Sequence, residues 1–375
     1  MLALVMATGP LALYAISALA PIMTHDLELS TARLGALAFV SYGSAALSAM
    51  INGRLVDRFD PRLVQQWLFV ASGVSVLLVA IAGDLLWLVM AMLVSGLAQS
   101  ASNPVTNRLI SERVRVGRQG TILGVKQSGV QIGQFLTGAL LPPLALVAGW
   151  RWGIGSSVLL VIAGIVLTRR LLPSLPTGGG QRPRARPMGS LLDRFLVRLT
   201  IYTFANGALV TLVNVHLPLY AFEQVGLGAG AAGSLAGIIG ALGIAGRIGW
   251  GHIIERVPDY VLALRGLAVV SLVSVVLLWS AAALGPLVLL AGTVLFAASA
   301  LPGNAVAMFA VIRSVDSGDT GSVTGAMMVA LYLGFTAGPA LFGLIVGMAE
   351  AYAAGWALAL VLAASSLVAL LTIRN

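Results

Sequence analysis

Twelve apolar runs, each close to the length that crosses a bilayer, follow one another along this chain with only short polar gaps between them. They fall at 2–22, 32–51, 64–82, 85–108, 119–147, 151–171, 196–220, 229–254, 262–282, 286–312, 320–347 and 352–372. A crossing helix needs about 20 mostly apolar residues, so 375 residues built this way leave no room for a large soluble domain. Only 9% of the residues are charged, against roughly 25% in soluble proteins, which excludes a soluble fold. The spans are predicted to be helices. Lipid offers the backbone no hydrogen bonds, and the 44 Gly and 15 Pro scattered through the runs are tolerated where neighbouring helices re-satisfy the backbone. Ala18-Leu19-Ala20 mimics a signal-peptide cleavage site. The first run nevertheless lacks a basic start, is longer than the roughly 7–15 apolar residues of a signal core, and would put Pro21 after the cut, so it is read as a retained span.

The net charge of +9 comes from 22 basic and 13 acidic residues, and their placement carries the information. Nineteen Arg lie on one side of the predicted topology and two, Arg33 and Arg151, on the other. Basic loops stay in the cytoplasm, so the basic side is cytoplasmic and an even number of spans puts both termini there. The basic residues sit in short gaps rather than on one face, which argues against nucleic acid. The one Lys, Lys126, follows Val125, so the Gly-Lys pair of a Walker A motif is absent. Zero Cys excludes disulfides and thiolate chemistry, and the three His, at 25, 216 and 252, are too scattered to suggest a metal site. His216 is read as a residue of the cavity mouth. Abundant Arg with a single Lys points to a high-GC bacterial genome and hence to an inner membrane.

The longest connection, 172–195, contains Pro173, Pro176, Gly178-Gly179-Gly180, Pro183 and Pro187 and reads as a flexible cytoplasmic linker. It divides the chain into an N-terminal bundle, 1–171, and a C-terminal bundle, 196–375. Landmarks recur between the two at a near-constant offset, as expected of parallel repeats. Gly53-Arg54-Leu55-Val56-Asp57-Arg58 follows the second span and Gly251-His252-Ile253-Ile254-Glu255-Arg256 the eighth. Pro21 and Pro218 are read as ending the first and seventh spans. Asn103 matches Asn304, and Gly124 and Gly133 match Gly325 and Gly334.

The stretch from Gly53 through Asp57, Arg58, Asp60 and Pro61 to Arg62 resembles the signature loop of the major facilitator superfamily, Gly-x-Leu-x-Asp-Arg-x-Gly-Arg-Arg. Asp60 and Pro61 depart from its Gly-Arg centre. The resemblance implies an all-α integral membrane fold of twelve helices in two pseudo-symmetric six-helix bundles, a secondary transporter and no enzyme. It also implies that the first, fourth, seventh and tenth helices line the cavity. The fold hosts carriers for many solutes and names none of them. Gly53, Asp57, Arg58 and Arg62, with Gly251, Glu255 and Arg256 in the second copy, are the expected gating motif: Asp57 beside three Arg can hold helix ends together and release them. The alternative is that these Arg only orient the chain.

No acidic residue lies at mid-membrane, and Lys126 is the one deep ionisable residue, roughly 10 Å into the fifth span. On a helical wheel Lys126, Gln127, Gln131, Gln134 and Thr137 fall on one side, with Ile132, Phe135, Leu136 and Ala139 on the reverse. A polar arc of this kind cannot face lipid and is expected to line a water-filled cavity between the halves. The alternative is that Lys126 snorkels to the headgroups. Tyr14, Asn103, Asn206, Asn214 and Tyr332 are further substrate-binding candidates inside apolar helices, or else interhelical glue. Gly129-x-x-x-Gly133 reads as close helix packing, and the Gly-Pro signature of proton-driven drug antiporters is missing from the fifth span.

The function expected is movement of a small solute by alternating access, with a small organic or inorganic anion favoured by the sign of the site. Efflux of a neutral or amphipathic metabolite or drug is the alternative. No cofactor or metal is implied. The expected partners are the substrate, a coupling proton or a counter-anion, and the lipid bilayer, for a chain acting as a monomer.

Overall fold

The computed structural model describes residues 1–113, 122, 125–172, 194–254, 257, 259–314 and 320–373, and the regular structure among them is helical. The first half contains α1 (Leu2–Thr8), α2 (Leu11–Leu27), α3 (Thr31–Arg58), α4 (Pro61–Ala80), α5 (Leu85–Arg113), α6 (Gly129–Ala148), α7 (Trp150–Ser156) and α8 (Val158–Leu171). The second contains α9 (Arg194–Glu223), α10 (Ala229–Ile254), α11 (Tyr260–Leu284), α12 (Pro286–Ser314), α13 (Thr320–Ala349) and α14 (Tyr352–Leu371). Ten described segments are long and apolar enough to cross a membrane, and α1 with α2, bent by 51°, makes an eleventh. The twelfth crossing is α3, which at 28 residues is long enough but is diluted by Ser41, Ser44, Ser48 and Asn52. Two pseudo-symmetric bundles of six spans result.

Local chemistry explains where the helices break and where they do not. Pro10 has no amide hydrogen and its ring clashes with the preceding turn, so the first span bends at Gly9-Pro10. Pro21 and Pro218, by contrast, lie inside α2 and α9 and end neither. Pro218 frees the carbonyl four residues back, that of Asn214, and the Ser17 hydroxyl of α2 donates to it at 2.8 Å. A neighbouring helix thus supplies the bond the proline removes, which is how membrane helices keep interior prolines. Gly149, at φ +86°, ends α6 and lets α7 begin at once.

The repeat is visible in the bonding. Asp60 caps α4 by accepting from the Arg62 amide at 2.9 Å, with Pro61 in the first turn; Asp259 caps α11 by accepting from Val261 and Leu262, each at 2.9 Å. The departure of Asp60-Pro61 from the signature loop is therefore a helix-start signal. Arg62 donates to the Arg169 carbonyl near the end of α8, and Arg265 donates to the Leu370 and Ile373 carbonyls around the end of α14. Gly133 packs on Ala7 of α1 in the first half, and Gly334 packs on Ala208 of α9 in the second.

The bundles meet along α3 with α13 and α6 with α10. In the half of the molecule farther from the chain termini, called the distal half below, this seam is closed by backbone-to-backbone contact. A Cβ on Gly35 would stand 2.5 Å from the Pro339 carbonyl oxygen, one on Gly343 2.5 Å from that of Thr31, and one on Gly138 would collide with Gly237.

Candidate functional site

The polar face of the fifth span turns inward as its wheel predicts. Lys126 is 1% exposed, and Gln131, Gln134 and Thr137 are buried with it, whereas Phe135 on the reverse is 38% exposed. Lys126 does not reach for headgroups. Its ammonium donates to the Asn103 side-chain oxygen at 2.9 Å and to that of Asn107 at 2.6 Å, both on α5. Two neutral amides satisfy two of its three donors and leave its charge without a counter-ion among the described residues. The described ion pairs, Arg33–Glu28 and Arg151–Asp26, lie at the surface instead. The face is packed shut in this arrangement and does not line an open channel.

Asn103 carries the network across the seam by donating to the Tyr332 hydroxyl of α13 at 3.3 Å. Tyr42 of α3 neighbours Tyr332 and Tyr14 of α2, with the Phe335 ring 5.5 Å from that of Tyr42 and 5.8 Å from that of Tyr332. Beside Tyr14 lies Arg247 of α10, which donates to the Gln127 carbonyl at 2.8 Å. Lys126, Asn103, Tyr332, Tyr42, Tyr14, Arg247 and Gln127, part bonded and part neighbouring, are thus gathered from both bundles into one cluster, called the ring below. Gln131 packs on Gly243 of α10, one turn before Arg247, and its side-chain oxygen is buried without a partner.

Other predicted residues sit elsewhere. Gln134 donates to the Asn214 side chain across the seam at 3.1 Å, on the distal side of the ring. Asn206 donates to the Ala300 carbonyl and the Asn304 side chain, both at 3.0 Å, so it ties α9 to α12 within one bundle. His216 is not at a mouth. It is buried, bonded to the Pro339 carbonyl at 3.0 Å and stacked on Phe342, because its helix continues past Pro218. Within the gating motif Arg58 is exposed and Arg62 caps α8. Glu255 and Arg256 lie outside the described residues, as do the side chains of Arg54 and Asp57 and the surroundings of Gly53 and Gly251.

The structure also overturns the expectation that Lys126 is alone at depth. Arg247, counted from sequence among the orienting arginines, has a buried Nε with no partner and shares the ring. Tyr42 was likewise not singled out from sequence; it is an apolar-run tyrosine whose role appears only when α2, α3 and α13 are brought together. A cleft of about 370 Å³ between α3, α4 and α5, bounded by Asn52, Phe59, Trp67 and Leu97, lies on the outer wall and includes no ring residue.

At the distal end Tyr352 of α14 donates to the Glu223 carboxylate of α9 at 2.6 Å and lies 2.7 Å from the Thr31 hydroxyl at the start of α3. This chain joins the two bundles beside the glycine seam. A buried hydrogen bond contributes about 1 kcal/mol, so Tyr352→Phe is expected to broaden the distance distribution between spin labels placed across the distal ends. An unchanged distribution would show that the seam alone keeps that end shut.

The comparisons agree with this architecture. The family profile described as Major Facilitator Superfamily matches residues 2–339. A probable sulfoacetate transporter, SauU, from Cupriavidus necator is 31% identical over 141 residues, 36% of this chain and 32% of that protein. The human facilitated glucose transporter member 10 is 28% identical over 61% of this chain, and the match spans 47% of it. This chain thus spans a third to a half of the length of those two relatives. The hexuronate transporter of Bacillus subtilis is 25% identical over 92% of this chain and 86% of its own length. Among solved structures, a bacterial homologue of the human lysosomal transporter Spinster, inward-facing and occupied, superposes with a TM-score of 0.77 at 14% identity, covering 99% of this chain and 94% of that one. The nucleoside transporter NupG gives 0.72 at 14% identity, covering 99% and 97%. With its crossings in two repeated bundles and a profile match over residues 2–339, the chain belongs to the Major Facilitator Superfamily.

Proposed function

We propose that this transporter carries small organic anions, held between its two bundles by Lys126 and moved by alternating access. One observation carries the reading: a fully buried ammonium, cradled by two neutral amides, with no carboxylate paired to it among the described residues. An uncompensated buried charge is costly, and a substrate of opposite sign offsets that cost when it binds. Asn103 and Asn107 orient the ammonium, and Tyr14, Tyr332, Gln127 and Gln131 offer further polar groups around it. Gln134 with Asn214 and Asn206 with Asn304 act as joints between helices. Of the relatives described above, those named for sulfoacetate and hexuronate are named for anions, and the one named for glucose is named for a neutral sugar.

The bundles 1–171 and 196–375, joined by 172–195, are the rocking units, in a bacterial inner membrane with both termini in the cytoplasm, where 18 Arg besides Arg247 hold one face. The distal half is then extracytoplasmic and closed. A proton or a counter-anion drives the cycle, and the chain works as a monomer. A ligand that binds the folded protein raises its melting temperature by mass action. Purified wild type should therefore melt higher with glucuronate or sulfoacetate but not with glucuronamide. A rise with the neutral amide alone would refute the reading and favour a carrier of neutral solutes.

A further inference from the structure

We propose that Arg247 is a second cationic anchor of this site and that the preferred substrates are short dianions, one acidic group held by Lys126 of the first bundle and the other by Arg247 of the second. The inference rests on the reading of Lys126 as an anion anchor and adds the number and spacing of the charges. Arg247 donates to the carbonyl of Gln127, the residue next to Lys126, so a cation of the second bundle reaches the backbone beside the cation of the first. The Arg247 Nε is buried with no partner, and Lys126 has a third donor beyond its bonds to Asn103 and Asn107. Neither cation is paired with a carboxylate among the described residues. Tyr14 neighbours Arg247, the Tyr332 hydroxyl accepts from the Asn103 that holds Lys126, and the Gln131 oxygen is buried without a partner.

Charge balance selects the substrate class. A monoanion leaves one buried cation uncompensated, whereas a dianion neutralises both. Because the cations belong to different bundles, a dianion held by both bridges the seam, so a filled site favours closure. The planar guanidinium suits a carboxylate or sulfonate held by two parallel bonds, and the ammonium suits a single oxygen. Arg247 reaches the backbone next to Lys126, so short diacids are the substrates to try first.

The test compares malonate, succinate and glutarate with their half-amides, which keep size and lose one charge, and sulfoacetate with methanesulfonate. Binding to the purified full chain is read by calorimetry. In wild type at least one dianion should bind about tenfold or more tighter than its monoanionic analogue. That ratio should fall towards one in Arg247→Gln and be largely kept in Arg247→Lys. A wild-type ratio near one for every pair, or a ratio untouched by Arg247→Gln, overturns the proposal. If Arg247→Gln fails to fold, the wild-type ratios and Arg247→Lys decide alone. Tight binding of the monoanions at a ratio near one would sink the dianion class and leave the anion reading standing; absence of binding by any anion would remove both.

Discussion

Lys126→Gln is expected to lower uptake of small organic anions into liposomes containing the protein by about two to three orders of magnitude at sub-saturating substrate, while leaving the folded protein as stable as before or more so. Removing one partner of a buried, hydrogen-bonded charge pair costs ~2–5 kcal/mol, and each 1.4 kcal/mol is about tenfold. In the empty protein the same substitution takes away a charge that has no counter-ion among the described residues, and the Gln amide can still donate to Asn103 or Asn107. Transport lost with melting temperature kept is the signature of a binding group. A lysine that only holds α5 to the fifth span would give the opposite result, a lower melting temperature with residual transport in proportion to folded protein.

Gly138→Leu should abolish net transport by a different route. A side chain at Gly138 collides with the backbone of Gly237, and one at Gly237 would stand 2.9 Å from the Ala139 nitrogen. Backbone cannot move aside as a flexible side chain can, so the usual overpacking cost of about 1–3 kcal/mol falls on the closed distal half alone. Carrier states differ by a few kcal/mol, enough for this change to hold the distal end open. Transport needs both states, so the rate is expected to fall about a hundredfold, with substrate binding from the distal side retained. Spin labels on the distal ends of α6 and α10 should report a single longer distance. A variant that transports at more than half the wild-type rate would show that the α6–α10 seam does not close during the cycle.

Much of this was legible in sequence because membrane helices obey local rules. Apolar run length located ten spans and the bent α1–α2 among the described residues, the wheel of the fifth span turned Lys126, Gln131 and Gln134 inward, and the offset of Gly133 from Gly334 foretold equivalent packing on Ala7 and Ala208. Prolines misled, because a proline's effect depends on a neighbour the sequence does not show: Ser17 repairs the break at Pro218, whereas nothing equivalent straightens Gly9-Pro10. Arg247 was hidden for a related reason. It lies near one end of its span, where an arginine ordinarily marks the cytoplasmic edge, and its partners, Gln127 and Tyr14, come from the other bundle. The Thr31–Tyr352–Glu223 chain likewise joins residues from three helices, and no local pattern announces it.

The central claim, that a positively charged seam between the bundles selects anionic solutes, is tested most directly by uptake into liposomes of acids paired with their neutral amides. Glucuronate, sulfoacetate and 3-(3-hydroxyphenyl)propionate are suitable probes, each offered beside its amide at equal concentration. The account predicts saturable uptake of at least one acid, and little or none of its amide. Equal uptake of an acid and its amide, or uptake of amides while every acid stays outside, would contradict it.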